Sequence, residues 1–159
     1  MSSEEHAAED RSRDHDAYCP SAQPDMPGAV VFGVVAGTAN EPYVRYLDQL
    51  VPVTPEVTDL AQPVEPTEVF RIGAPCAGSR CRHFDGAQCS LVQRITRLLP
   101  PEAGNLPACR LRPRCRWWQE QGEEACHRCP LVVTLQHHPS PDVVEVARPP
   151  DESRPDRAP

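Results

Sequence analysis

Cysteine is concentrated in one part of the chain, and this concentration limits what the chain can fold into. Seven of the eight cysteines lie between residues 76 and 129, and the eighth, Cys19, lies far upstream. The first three follow the pattern Cys-x4-Cys-x7-Cys, and the next four follow Cys-x5-Cys-x10-Cys-x2-Cys. Thiols at this density either crosslink the chain or bind metal, so the fold has to bring them together.

The second group of cysteines contains four thiols within a short segment. Two residues separate Cys126 from Cys129, a spacing that lets both sulfurs turn toward one centre. Cys109 and Cys115, with five residues between them, supply the other two thiolates. Four thiolates complete the coordination of a zinc ion or of an iron–sulfur cluster. Residues 109–129 therefore predict a metal centre.

The first group has three members, Cys76, Cys81 and Cys89, so its fourth ligand is open. Cys19 and His83 are the candidates, because ligands distant in sequence are common in metal sites. For Cys19, an unpaired thiol at the edge of the fold is as good an interpretation as a fourth ligand. Two further arrangements fit the pattern: the fourth position stays open for a substrate, a partner ligand or water, or the two groups share ligands.

The residues beside the cysteines favour iron–sulfur over zinc. Cys129 is followed by Pro130. Over residues 126–130, this Cys-Pro pair resembles the closing cluster ligand of bacterial ferredoxins. The two Cys-x2-Cys pairs of a zinc ribbon are not found. We expect one or two [4Fe–4S] clusters, with zinc as the alternative and free or redox-paired thiols as the third possibility. Six neighbouring arginines would offset the negative charge of a cluster: Arg80, Arg82, Arg110, Arg114, Arg116 and Arg128.

Composition predicts that both ends of the chain are disordered. Residues 1–17 contain six acidic residues and two arginines with little to bury, and residues 139–159 are rich in proline and charge. Such segments bury too little apolar surface to offset the entropy of ordering. The remainder, residues 18–138, is predicted to be one small domain. It consists of a β-hairpin part, residues 18–70, and a cysteine-rich metal-binding module, residues 71–135.

Short elements of both types predict an α+β fold. Residues 29–36 are apolar and β-branched, and residues 43–47 follow after a turn, so together they predict a β-hairpin. Gly33 predicts a bulge or a close backbone approach. Residues 69–72 are a candidate third strand, and residues 131–135 a candidate closing strand.

Helix signals are fewer and shorter. Thr54 and Pro55 predict the start of a short helix, as N-cap and first helical residue. In the cysteine-rich module, which is otherwise rich in loops, two short helices are expected. One follows Ser90 and has an apolar stripe, and the other begins near Pro113 and ends at Gly122.

Charge and motifs narrow the classes of function. The chain has a net charge of −7, yet residues 71–129 contain ten arginines and five acidic residues. Trp117 and Trp118 lie among these arginines, but the acidic flanks argue against strong nucleic-acid binding. We expect one tryptophan to pack in the core and the other to shield the metal site. No phosphate loop, nucleophile elbow or His-Glu-x-x-His motif is present, so we do not expect an enzyme.

The expected function is electron transfer, or assistance to a redox metalloenzyme, with a redox protein as partner. A nitrogen-fixation-type accessory role is one instance. The sequence has no signal-peptide pattern and no apolar stretch of membrane-spanning length, so we expect a cytoplasmic protein without membrane contact. The alternatives are a zinc-stabilised module that binds protein or nucleic acid, and a thiol or cluster redox sensor. The oligomeric state is left open.

Overall fold

The fold is mixed α and β and contains a four-stranded antiparallel sheet. The structure, a computed structural model, describes residues 17–38, 40–134 and 139–149. The strands lie in the order β1-β4-β2-β3, and all neighbours are antiparallel. The predicted α+β class is confirmed. The strands are β1 (Tyr18–Cys19), β2 (Val30–Gly37), β3 (Pro42–Pro52) and β4 (Phe70–Pro75).

Strands β2 and β3 form the predicted hairpin, and β4 is the predicted third strand. The register of β2 shifts between Val31 and Gly33 against both of its neighbours. A Cβ atom on Gly33 would lie 2.6 Å from Val44 Cγ1 and 3.1 Å from the backbone carbonyl oxygen of Arg45, so β3 leaves no room there for a side chain. Both parts of the prediction for Gly33, the bulge and the close approach, are confirmed.

The helices are short. The first of them begins where the sequence predicts, whereas the helix expected to follow Ser90 begins at that residue, with Cys89 as its N-cap residue. Helix α1 (Pro55–Asp59) follows Thr54, whose hydroxyl accepts the N–H of Val57 at 3.3 Å. Helix α3 (Ser90–Leu98) ends just before two prolines. The other α-helices are α2 (Pro66–Val69), α4 (Arg116–Gln121), α5 (Glu123–Cys126) and α6 (Pro141–Ala147), and 3-10 turns lie at Gly78–Arg80, Arg112–Arg114 and Cys129–Leu131.

Two apolar clusters form the core. The first belongs to the sheet and the segment between β1 and β2, and consists of Ala22, Ala29, Val31, Ile72 and Ala74. The second joins helices α3 to α6 and consists of Val92, Ile95, Leu99, Cys115, Trp117, Ala125, Cys129 and Val146. Two of the cysteines are therefore core residues, so the packing that stabilises the fold also positions their thiols.

Strand β1 connects the start of the fold to the cysteine-rich part. It pairs with the end of β4, where Cys19 lies opposite Ala74. The backbone N–H of Cys76 donates to the carbonyl of Ala17 at 2.8 Å. These backbone contacts bring Cys19 next to the beginning of the first cysteine group.

Three predictions for the cysteine-rich part and the C-terminal segment are wrong. Residues 131–134 of the predicted closing strand form no strand, because Pro130 lies within the 3-10 turn Cys129–Leu131 and the chain then stays irregular. The predicted disordered tail contains α6, whose residue Val146 is only 4 % exposed. Residues 71–135 contain more than the two predicted helices, because α5 and the 3-10 turns add to α3 and α4.

Helix α6 forms because it has both a start signal and something to pack against. The hydroxyl of Ser140 accepts the N–H of Val143 at 3.4 Å, and Pro141 is the first helical residue. Val146 then packs into the second apolar cluster. The apolar side chains of α6 are too few for the helix to be predicted in a tail that is otherwise polar.

Other predictions for the ends of the chain lie outside the described residues. The predicted acidic tail, residues 1–17, lies outside them except for Ala17, which is buried. Residues 150–159 of the predicted C-terminal tail also lie outside them. Within the described ranges, no helix has the length and apolar character needed to cross a bilayer.

Candidate metal centres

The fold sorts the eight cysteines into two sets of four, and each set lines its own cavity. Site 1 consists of Cys19, Cys76, Cys81 and Cys89. Site 2 consists of Cys109, Cys115, Cys126 and Cys129. All eight are free thiols. The four cysteines of the second group thus line one cavity, and Cys19 lines the other cavity together with the three cysteines of the first group.

Site 1 surrounds a mostly apolar cavity of about 300 Å³. Each of its thiols lies at an end of an element, where the backbone can turn toward the cavity. Cys19 ends β1, Cys76 directly follows β4, Cys81 follows the 3-10 turn Gly78–Arg80, and Cys89 is the N-cap residue of α3.

Helix α4 supplies a charged pair that contacts two cysteines of site 1. Arg116 Nη1 lies 3.9 Å from Cys76 Sγ, and Arg116 Nε donates to Glu120 Oε2 at 2.6 Å. The other oxygen of Glu120 accepts the backbone N–H of Cys89 at 2.8 Å. A guanidinium near a sulfur stabilises the thiolate, and the carboxylate beside it offsets part of that effect.

Burial keeps two thiols of site 1, those of Cys19 and Cys89, protonated when no metal is bound. It raises the pKa of Cys19 to about 12, and the charges of Cys89, Cys76 and Cys81 raise it further. Burial also raises the pKa of Cys89 to about 11, with a contribution from the charge of Glu120. A metal or cluster that binds these sulfurs has to displace their protons.

His83 also lines the cavity of site 1, but its ring is engaged elsewhere. Arg94 Nη2 lies 2.8 Å from His83 Nδ1, and a guanidinium only donates, so Nδ1 is the acceptor. Burial and the charges of Arg94 and Arg82 lower the pKa of His83 to about 4, so the ring is neutral at pH 7. Its proton is then on Nε2, which leaves neither nitrogen with a free lone pair.

Site 2 surrounds a smaller cavity of about 20 Å³. Its thiols lie at the junctions of four consecutive short helical elements. Cys109 precedes the 3-10 turn Arg112–Arg114, Cys115 is the N-cap residue of α4, Cys126 ends α5, and Cys129 begins the last 3-10 turn. Consecutive tight turns over a short sequence therefore bring the four thiols to one cavity.

The side chain of Arg71 on β4 is fully buried against site 2. Its Nη2 lies 3.4 Å from Cys129 Sγ, and its Nη1 donates to the carbonyls of Cys129 and Val132 at 2.8 and 2.6 Å. Nε and Nη2 both donate to the carbonyl of Pro20, at 3.1 and 2.9 Å. Within the described residues no carboxylate pairs with Arg71, so its positive charge remains beside the sulfur.

Arg112 is a second arginine at site 2, and it has a donor without a partner. It lines the cavity, and its charge and hydrogen bond to Cys126 favour the thiolate of that residue. Its Nε is buried and has no hydrogen-bond partner among the described residues. A buried donor that lacks an acceptor is costly, so its place on a thiol-lined cavity points to an anionic group there.

At site 2, the pKa values of three thiols are raised, as are those of Cys19 and Cys89 at site 1. Burial raises the pKa values of Cys115, Cys109 and Cys126, and in each case the charge of Cys129 raises the value further. Burial also raises the pKa of Tyr46, which lines the same cavity and is hydrogen-bonded to Cys129.

Arginines adjacent in sequence to the cysteines are mostly not the ones that contact sulfur. Of the predicted six, Arg116 contacts a cysteine sulfur. Arg110 and Arg128 donate to backbone carbonyls of Asp48 and Leu99 instead. Sequence reasoning missed Arg71 and Arg112 as partners of the thiols. A signal for Arg71 was its position inside an otherwise apolar strand.

One of the two tryptophans lies in the core, as expected, and the shielding of a metal site by the other stays a prediction. Trp117 is 2 % exposed and lines the cavities of both sites, so it has no free face for a nucleic-acid base. Trp118 is half-buried, and the guanidinium of Arg112 lies over its ring, 5.6 Å from the centroid.

No group of three or more Cys, His, Asp or Glu side chains in residues 17–38, 40–134 and 139–149 has the arrangement of a site for a metal ion. The four thiols of each site line a cavity without meeting that requirement. Their chemistry is nevertheless that of a soft-metal site, because thiolates select zinc, copper(I) and iron–sulfur clusters.

Comparison with known proteins adds no family: no family model, no curated protein and no solved structure matches the chain. Its function is therefore inferred from the two sites themselves.

Proposed function

We propose that this protein is a small iron–sulfur protein with one [4Fe–4S] cluster at each cysteine site. Cys19, Cys76, Cys81 and Cys89 would hold one cluster, and Cys109, Cys115, Cys126 and Cys129 the other. The sheet supports the cysteine-rich part, residues 71–135, by holding Cys19 and Arg71 against it.

The division of the cysteines into two complete sets of four carries the proposal. If the eight cysteines were present only as small buried residues, nothing would favour their even division around two cavities. Four cysteines are the ligand number of a [4Fe–4S] cluster. Cys19 joins its set through strand pairing, although a long stretch of chain separates it from Cys76.

The surroundings of the cysteines support an anionic occupant. Arg116 lies at Cys76 in site 1, while Arg71 and Arg112 lie at site 2. A thiolate-bound cluster carries negative charge, and hydrogen bonds to its sulfurs help set its reduction potential. The unpartnered Nε of Arg112 would gain an acceptor from such a cluster.

The role that fits this arrangement is one-electron transfer. The chain is proposed as a carrier or as an accessory to a redox metalloenzyme and not as an enzyme. Its partner would be a redox protein, with a nitrogen-fixation-type system as one instance. A reducing compartment such as the cytoplasm would preserve the thiolates.

Anaerobic purification followed by a visible spectrum and analysis of iron, sulfide and zinc tests the proposal. Two [4Fe–4S] clusters require a brown protein with about eight iron and about eight sulfide per chain. A colourless protein with stoichiometric zinc, or with no metal, would reject it.

The size of site 2 favours zinc as a second candidate there. Its cavity of about 20 Å³ accommodates about one water-sized atom, which suits a single ion better than a cluster. Four thiolates at tetrahedral positions are a common structural zinc site. A chain with about four iron, four sulfide and one zinc would assign the cluster to site 1 and zinc to site 2.

A further inference from the structure

The cavity of site 1 is larger than a metal centre requires. Its volume of about 300 Å³ has room for roughly 20 water-sized atoms, whereas the cavity of about 20 Å³ at site 2 holds about one. A [4Fe–4S] cluster contains about eight iron and sulfide atoms. A cluster held by the four thiols of site 1 would therefore leave part of the cavity unfilled.

The lining of this cavity is mostly apolar and comes in large part from segments without cysteine. Ala22 and Met26 belong to the segment between β1 and β2. Val143 and Ala147 lie on α6. In other proteins an apolar cavity of about half this volume binds benzene, because it offers water too few hydrogen-bond partners. Cavities of this size, with apolar walls and a few polar groups, are typical of small-molecule sites.

Two hydroxyl groups give the cavity a polar point. Ser21 and Thr134 both line it, and Ser21 Oγ lies 3.1 Å from Thr134 Oγ1. A hydroxyl group donates one hydrogen bond and accepts others, so this pair retains the capacity to bind an oxygen atom of a ligand.

The charged groups around the cavity favour an uncharged ligand. Among the described residues that line it there is no Asp or Glu, and the arginine that does line it, Arg116, donates to Glu120 at 2.6 Å. Arg94 lies outside the lining: its guanidinium contacts His83 Nδ1 and the carbonyl of Val146, and the charge of Glu145 acts on it. An ionised ligand would lose its hydration here without gaining a charged partner of its own.

We propose that the site 1 cavity binds a small uncharged organic molecule, an aliphatic chain that carries one hydroxyl or carbonyl oxygen. The chain would contact the apolar wall, and the oxygen would bind the hydroxyls of Ser21 and Thr134. This inference goes beyond the proposed function, because binding requires no metal at either site. A cluster at the thiols would occupy only part of the same cavity.

Isothermal titration calorimetry of the full chain as purified, with 1-octanol as the probe, tests the proposal. We expect one molecule bound per chain with a dissociation constant below about 1 mM, and a negative heat-capacity change from the burial of apolar surface. Octanoate has the same chain with a carboxylate, and it should bind at least about tenfold more weakly.

Three variants locate the ligand. Ala147→Phe adds a ring at an exposed residue of α6 that lines the cavity, so it should weaken octanol binding about tenfold. Val144→Phe is the matched control, because Val144 is 46 % exposed on the same helix and is not among the lining residues. Thr134→Val removes one hydroxyl at nearly constant shape and should weaken binding about threefold or more.

The contrary results are equally definite. The absence of saturable octanol binding, or an equal effect of Ala147→Phe and Val144→Phe, would overturn the inference. Tighter binding of octanoate than of octanol would reject the uncharged class of ligand. Iron and sulfide analysis of the same sample tests the proposed function separately. Octanol binding by a protein without iron would keep the inference and reject the iron–sulfur function, and a brown protein that does not bind octanol would do the reverse.

Discussion

Cys19 illustrates how a single residue can depend on contacts that are remote in sequence. Its thiol lines the cavity of site 1 because β1 pairs with β4. His83, the other candidate for the fourth ligand, lines the same cavity, but its Nδ1 accepts a hydrogen bond from Arg94. The two candidates therefore differ in whether a donor atom is available to a metal.

Replacement of each candidate tests this difference. Cys19→Ser should remove the metal of site 1 and reduce iron and sulfide per chain by about half, because a hydroxyl is a poor substitute for a thiolate ligand. His83→Gln should retain the wild-type metal content. Metal analysis and the visible spectrum of both variants provide the measurement. Loss of metal in His83→Gln with normal content in Cys19→Ser would reverse the assignment.

Among the elements, α6 has the clearest connection to a site. Val143 and Val146 line the cavity of site 1, and Arg94 Nε donates to the carbonyl of Val146 at 2.9 Å. Arg94 also contacts Ser90, the first residue of α3, with Nη1 3.1 Å from its hydroxyl. A buried arginine thus holds α6 over the helix whose N-cap residue is Cys89, so α6 forms part of the enclosure of the thiols.

A charge on the inner face of α6 should open this enclosure. In Val146→Asp a carboxylate would have to be buried without a partner, so we expect a loss of about 2 kcal/mol in the free energy of unfolding. Release of site 1 iron to a chelator should become about tenfold faster, while site 2 changes little. Val144→Asp is the matched control, because Val144 is 46 % exposed on the same helix. Equal release rates in the two variants would show that α6 does not protect the site.

At the scale of the whole molecule, cysteines of the candidate centres occupy core positions that apolar side chains fill in most proteins. The second apolar cluster includes Cys115 and Cys129, and its helices are short and joined by turns. The sheet has a separate apolar cluster of its own. The sheet and the cysteine-rich part should therefore depend on bound metal to different degrees.

Removal of metal should destabilise the cysteine-rich part more than the sheet. The free thiols regain their protons, and site 2 loses the ligand that would hold its short helical turns together. Hydrogen exchange of the metal-free protein should increase strongly in residues 76–131 and only slightly in β2 and β3. The metal-loaded protein is the reference. Uniform exchange along the chain would contradict the division into two parts.

The sequence by itself determined the features that depend on a few neighbouring residues. Alternation and turn residues predicted the hairpin, Gly33 predicted the close approach of its strands, and Thr54 predicted the start of α1. The four cysteines of the second group line one cavity, and the metal centre that their spacing predicts stays a prediction. The identity of the occupant remains a prediction from the chemistry of thiolates.

Only the tertiary structure decided which distant residues meet. It brought Cys19 into site 1 through strand pairing, placed Arg71 of β4 against Cys129, and folded α6 onto α3. It also left residues 132–134 outside any strand, although their β-branched side chains favour one. The physical reason is the same in each case: these outcomes depend on burial and hydrogen bonding between segments far apart in the chain, and local spacing and propensity carry no information about which segments pack together.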